Sequence, residues 1–145
     1  MMDGQKTPKK VVVVPCSGIG KSYGAVSREA AYVITEDLRP EAAQLVALSM
    51  LVLGEESARR AVAGNPVITI DGCKLACASK MVKENGGKIV QEIDVLDVYR
   101  RHKEYKPQGI GQLNEDGLQL AKALAEEVTP TIDSCTSAGQ GGSNA

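Results

Sequence analysis

The feature that most constrains the fold is a run of four valines at positions 11–14, which lies between Lys9-Lys10 and Pro15. Branching at Cβ favours strands, and an apolar run without polar alternation is typical of a strand buried on both faces. Such a strand needs helices above and below its sheet. The valine run therefore predicts the central strand of a parallel sheet.

Two further short apolar segments, 66–70 and 88–93, predict more strands, and helical patterns lie between and after them. We predict helices over 25–38, 41–53, 55–63, 73–84 and 114–128, and a helix or an extended segment over 95–105. The alternation predicts an α/β fold, a single three-layer, Rossmann-like domain with helices flanking a mostly parallel sheet. We expect residues 10–128 to form this domain, between a flexible leader (1–9) and a flexible Ser/Gly-rich tail (129–145).

Composition and charge exclude several classes of function. The 145 residues contain no Phe and no Trp, and the formal net charge is -1. The chain therefore lacks both the aromatic platforms and the basic field that nucleic-acid binding needs. The longest apolar run, 45–53, is interrupted by Ser49 and is too short to span a bilayer. No signal-peptide pattern follows the basic start, so we expect a cytoplasmic protein with no membrane partner.

The chemistry-bearing residues are four cysteines: Cys16, Cys73, Cys77 and Cys135. Thiols in the cytosol stay reduced, so metal binding or redox chemistry is a better interpretation than two disulfides. Isolated cysteines can also serve simply as small buried hydrophobes. No carboxylate pair and no Ser/His/Asp set stands at a spacing that indicates catalysis, which leaves open whether the chain is an enzyme.

Two of these cysteines follow predicted strands directly. Cys16 comes after the first strand and Cys73 after the second, and parallel α/β sheets bind ligands at the carboxyl ends of their strands. Cys77 is four residues beyond Cys73, which places both side chains on one face of a predicted helix that starts at Cys73. Three converging thiolates suit a zinc ion. An iron–sulfur cluster uses the same ligands and stays open as an alternative cofactor.

The same residues carry a resemblance to a known family. The Pro-Cys-Ser-Gly of residues 15–18 and the Asp-Gly-Cys of residues 71–73, with Cys77, resemble the DGC family of zinc-binding proteins. The resemblance covers roughly residues 11–106. It implies an α/β domain with four chelating cysteines, and it carries that role to Cys16, Cys73 and Cys77.

The fourth ligand is the point at which the chain departs from that family. Many members carry another cysteine in the segment that here spans residues 44–48, and this chain has none there. Cys135 in the predicted tail and His102, the only histidine, are candidate substitutes. His102 also fits a solvated position beside its basic neighbours. Water could complete the shell, which would leave the site open.

Two competing interpretations use the same loops. Residues 15–22 nearly match the phosphate-binding loop G-x4-G-K-[ST], with Gly18, Gly20, Lys21 and Ser22 as candidate anion-binding residues. Pro15 replaces the first glycine of this motif. The replacement weakens the hypothesis of nucleotide hydrolysis but leaves binding of a small anion possible.

Thiol redox chemistry is the other alternative, with a low-pKa Cys73 at a helix start. Asp71, in an Asp-Gly turn before that helix, fits a helix cap best and could also orient a ligand through a hydrogen bond.

Overall fold

The computed structural model describes residues 10–16, 22–72, 76–109 and 112–141, with the backbone alone over 137–141. The elements of these ranges, in chain order, are β1 (Val11–Pro15), α1 (Ser22–Tyr32) with a π-helical continuation (Val33–Leu38), β2 (Ala43–Leu45), α2 (Leu48–Leu53), α3 (Glu56–Gly64), β3 (Pro66–Asp71), α4 (Cys77–Glu84), β4 (Lys88–Asp94), α5 (Val95–Arg101) and α6 (Glu115–Gly141).

The strands of the described ranges form one four-stranded, all-parallel sheet in the order β2-β1-β3-β4. β1 lies inside the sheet between β2 and β3, and all five of its residues are buried. Its last residue, Pro15, pairs with Ile70 near the end of β3. The predicted α/β fold and the central place of the valine run are both confirmed.

Alternate residues of β1 enter two separate apolar clusters, one on each face of the sheet, because successive side chains of a strand point to opposite faces. Val11 and Val13 join the cluster formed with α1, α5 and α6. Val12, Val14 and Cys16 join the cluster formed with α2, α3 and α4. The layers are therefore helix, sheet and helix, and Cys16 belongs to the second face.

The prediction of one helix over 41–53 is wrong. Residues Ala43–Leu45 form strand β2, and only Leu48–Leu53 are helical. The strand exists because Ala43, Gln44 and Leu45 pair with the first three valines of β1, a contact between distant parts of the sequence. An apolar segment without clear periodicity does not distinguish a buried helix from a strand followed by a helix.

The last helix continues 13 residues past its predicted end at position 128, to Gly141, so much of the segment predicted as a flexible tail is helical. Ile132 is fully buried and extends the apolar stripe of α6. Pro130 lacks the N–H that would bind the carbonyl of Glu126. The hydroxyl of Thr129 donates to that carbonyl at 2.9 Å instead, so the helix passes the proline with this acceptor satisfied.

The strands predicted over 66–70 and 88–93 and the helices predicted over 25–38 and 55–63 are present, with ends displaced by at most three residues. The segment 95–105, which the sequence left open, forms α5 over Val95–Arg101. None of the helices in the described ranges combines the length and apolar character needed to cross a membrane.

We expect Ile132→Ala to lower the free energy of unfolding by about 2–5 kcal/mol, because it opens a cavity in a fully buried position. Leu118→Ala, on the same helix but 45% exposed, is the matched control and should cost under about 1 kcal/mol. Urea unfolding of both variants gives the comparison. Equal losses would contradict the packing of α6 beyond residue 128.

Candidate metal centre

The candidate site lies where β1 and β3 end side by side. Strand order reverses here, since the chain leaves β1 for β2 on one side and later places β3 on the other. Open parallel sheets of this order bind ligands at the carboxyl ends of those two strands. Cys16 follows β1 directly, and its amide N–H donates to the carbonyl of Ile70 at 2.8 Å, extending the ladder by one bond. The two strand ends that precede Cys16 and Cys73 are therefore neighbours, as the metal hypothesis requires.

The sulfur of Cys16 is held against the end of β3. The residue is 2% exposed, and its Sγ accepts a hydrogen bond from the Gly72 amide N–H at 3.2 Å. The hydroxyl of Ser27, from α1, lies 3.6 Å from the same sulfur and donates to the carbonyl of Gly24 at 2.6 Å. The thiol thus occupies a fixed position between α1 and the residue that precedes Cys73 in the sequence.

Gly72 allows this close approach because it has no Cβ. A Cβ built there would lie 2.8 Å from backbone atoms of both Tyr23 and Gly24, near the start of α1. These are backbone atoms in a helix, so they cannot move aside as a flexible side chain would. Glycine at this position lets the end of β3, the start of α1 and Cys16 meet.

Asp71, the last residue of β3, caps helix α4 from a distance. Its Oδ1 accepts from the Ala78 amide at 2.8 Å, and its Oδ2 accepts from the amide and the hydroxyl of Ser79 at 3.3 and 3.1 Å. The Ser79 hydroxyl also lies 2.7 Å from that of Thr69. The residue at the N-cap itself, Ala76, provides no side-chain bond. The favoured interpretation of Asp71 as a cap is confirmed, and its action on a ligand stays a prediction.

The prediction that α4 starts at Cys73 is wrong. The helix begins at Cys77, after Ala76 in the left-handed region with φ 52° and ψ 49°. Spacing on one helical face therefore does not relate Cys73 to Cys77. Cys77 is exposed at the first position of α4, and Cys73 lies outside the described residues.

The two candidate fourth ligands are held elsewhere in the fold. Cys135 is half-buried on α6 and packs against the apolar cluster on the face of the sheet opposite to Cys16. His102 follows α5, with its Nε2 3.2 Å from Oε2 of Glu127. Burial raises the pKa of Glu127, but hydrogen bonds from Arg101 and His102 outweigh it and leave that pKa below its usual value. His102 therefore has a carboxylate partner between two helices.

Residues 15–22 nearly match a phosphate-binding loop, and the structure describes only the two ends of this segment. Pro15 is the last residue of β1, and Ser22 is the first residue of α1. Gly18, Gly20 and Lys21 lie outside the described residues. Anion binding by this loop stays a prediction.

Over the described ranges, no group of three or more His, Cys, Asp or Glu side chains is close enough to hold a metal ion. The structure thus brings Cys16 to the residue before Cys73 and ties the start of α4 to the same strand end. Sequence reasoning missed two parts of this arrangement, the Gly72 amide that donates to Cys16 and the Ser27 hydroxyl beside it. The Asp-Gly-Cys order contained a signal only for the first, since glycine often marks a close backbone approach.

Together the fold and the site define a small parallel α/β domain with a buried thiol in the crevice between its two inner strands. The chain belongs to the DGC family, because the model of the DGC domain matches residues 12–117, most of its 145 residues. The resemblance seen in the sequence is confirmed. No curated protein and no solved structure matches the chain.

We expect Asp71→Asn to lower the free energy of unfolding by about 1–3 kcal/mol. In the wild type both carboxylate oxygens accept hydrogen bonds, whereas the NH2 group of asparagine would face one of the same donors and could not accept from it. Asp37→Asn, at an exposed position, is the matched control and should change stability by under about 0.5 kcal/mol. Urea unfolding measures both. A cost at Asp71 no larger than at Asp37 would show that the cap contributes nothing to stability.

We expect Gly72→Ala to cost about 1–3 kcal/mol, since the added methyl must push β3 and α1 apart. Gly64→Ala provides the control: a Cβ at the end of α3 meets nothing within 4 Å, and alanine is the better helix former. Thermal unfolding of the two variants checks the difference. A Gly72→Ala protein as stable as the wild type would contradict the tight contact with Tyr23 and Gly24.

Proposed function

We propose that this protein binds a metal ion, zinc, through the thiolates of Cys16, Cys73 and Cys77. The observation that carries the proposal is the hydrogen bond from the Gly72 amide to the buried sulfur of Cys16, at 3.2 Å. Gly72 is covalently bonded to Cys73, so the first proposed ligand lies against the residue that precedes the second. Two strand ends far apart in sequence supply these ligands.

A second contact relates Cys77 to the same place. Asp71 lies two residues before Cys73, and its carboxylate accepts the amide N–H of Ala78, the residue after Cys77. The start of α4 is therefore fixed to the end of β3 by a buried bond of 2.8 Å. Cys16 thus contacts the end of β3 directly, and Cys77 lies next to the residue whose amide is bound there. Cys73 follows that strand end in the sequence.

The three thiolate sulfurs are ligands of a type that zinc prefers. Zinc takes thiolate sulfur readily and is held by three protein ligands plus water where a site stays open. Cys135 faces the other side of the sheet, and His102 binds Glu127, so we propose solvent as the fourth ligand. Cys77 is exposed, which supports a site at the surface end of the crevice. Reduced thiols require a reducing compartment, and we propose the cytoplasm.

Metal analysis of the purified chain should give close to one zinc per molecule. Cys16→Ser combined with Cys73→Ser should remove the metal, because both inner ligands are lost. The matched control is Cys135→Ser, which removes a thiol from the opposite face and should leave the zinc content unchanged. Emission spectrometry of protein dialysed against zinc-free buffer measures all three.

Two outcomes would contradict this proposal. Full zinc content in the double variant would show that other residues hold the metal. Iron and acid-labile sulfide with visible absorption, in place of colourless zinc, would identify an iron–sulfur cluster on the same thiolates.

A further inference from the structure

Ser27 is a polar residue in the interior of the fold, and it lies outside the motifs that point to a metal. It belongs to α1 and is fully buried. Its hydroxyl donates to the carbonyl of Gly24 at 2.6 Å and to that of Cys16 at 3.1 Å. The same oxygen lies 3.6 Å from the sulfur of Cys16. One side chain of α1 thus contacts both the backbone and the thiol of the residue that follows β1.

The helix itself does not need this hydroxyl. Serine is a weaker helix former than alanine, and a buried polar group is costly unless it is hydrogen-bonded. The bond to Gly24 is one that a serine can make within any helix. What distinguishes Ser27 is its contact with Cys16, a residue 11 positions away that belongs to the neighbouring strand end. The position of the hydroxyl is therefore explained by Cys16 and not by α1.

The sulfur of Cys16 is held from two sides by a chain of hydrogen bonds. From the side of β3, the amide N–H of Gly72 donates to the sulfur at 3.2 Å. A hydroxyl has one proton, and the carbonyl of Gly24 accepts it at 2.6 Å, so the Cys16 thiol is the donor in its contact with Ser27. The donors then follow one another from Gly72 through Cys16 and Ser27 to Gly24. This order links β3 to α1 through the sulfur.

Removal of the Ser27 hydroxyl would release one of these two sides. A cysteine side chain has three staggered rotamers, and Cys16 also lines a cavity of about 160 Å³ together with Leu45 and Leu48. The sulfur would therefore gain room to turn, with the Gly72 amide restraining it from one side only. We propose that Ser27 is a positioning residue, whose hydroxyl keeps the sulfur of Cys16 at the end of β3.

The purpose of this positioning rests on the proposed function, because a fixed sulfur presents a metal ligand already in place. A hydroxyl can donate as well as accept, so Ser27 can hold a thiol and a thiolate alike. Hydrogen-bonding partners behind metal ligands typically contribute about 10–100-fold to metal affinity. The position of the sulfur can also be measured without any metal. Failure of the positioning role and failure of the metal proposal are therefore distinguishable.

The test compares Ser27→Ala with Thr35→Val in the full chain. The hydroxyl of Thr35 donates to the carbonyl of Ala31 at 2.9 Å, so the control removes a hydroxyl that bonds within its own helical segment. NMR couplings between Hα and Hβ of Cys16 in zinc-free protein should show one rotamer in the wild type and in Thr35→Val, and averaged rotamers in Ser27→Ala. Zinc affinity, measured by competition with a chelating dye, should fall about 10–100-fold in Ser27→Ala alone.

A merely structural role for Ser27 would lower the free energy of unfolding and leave both the couplings of Cys16 and the zinc affinity unchanged, which would overturn the proposal. Averaged couplings in the wild type would overturn it as well. If Ser27→Ala does not fold, the wild-type couplings decide: one rotamer supports the proposal, and averaging contradicts it. If the wild type binds no zinc, the proposed function fails, and the couplings still decide whether Ser27 positions the sulfur.

Discussion

The contact on which the candidate site depends is the close approach of Gly72 to the start of α1. The end of β3 can lie against the backbone of Tyr23 and Gly24 only because no Cβ separates them. That approach puts the Gly72 amide within reach of the Cys16 sulfur, at 3.2 Å. A larger residue at position 72 would push the end of β3 away from α1. Asp71 would move with the strand, and its carboxylate would lose its hydrogen bonds to the start of α4. The absence of a Cβ at position 72 thus lets the end of β3 contact α1, Cys16 and the start of α4 at the same time.

The Asp-Gly-Cys triplet therefore combines three different physical roles in consecutive residues. Asp71 satisfies N–H groups at the start of α4, which would otherwise lack acceptors because Ala76 has no capping side chain. Gly72 permits the contact with α1 and donates to Cys16. Cys73 is the proposed ligand that follows. The first two roles are structural, and they would be required of this turn whether or not a metal binds.

The sequence was sufficient to predict the strands that build the sheet interior but not the elements defined by distant partners. The valines of β1 and the segment of β3 are apolar enough to be strands in any parallel sheet, whereas their adjacency was a condition of the site that only the structure supplies. β2 has only three residues, Ala43–Leu45, none β-branched, and it is a strand because β1 pairs with it. The extension of α6 likewise depends on burial of Ile132 against the sheet and on Thr129 beside Pro130.

The same limit explains how the site itself differs from its prediction. The spacing of Cys73 and Cys77 fits one helical turn, and nothing local in the sequence reveals that Ala76 takes the left-handed conformation before α4. The start of the helix is held instead by the carboxylate of Asp71, which accepts the amide N–H of Ala78. The observed pairing of β1 with β3 relates Cys16 to the end of β3 without any assumption about the following helix.

Cys16 lies where two different environments meet, and this position has a consequence for how the protein works. On one side its sulfur contacts the end of β3, and on the other the residue lines a cavity together with Leu45 and Leu48. A ligand in that cavity would touch the same residue that we propose binds the metal. Interiors are too densely packed for Cys16 to move without its neighbours, so the strand end and the cavity wall share the packing of one buried side chain. A change of Cys16 would therefore alter the wall of that cavity as well as the proposed metal site, whereas Asp71 belongs only to the strand end and the start of α4.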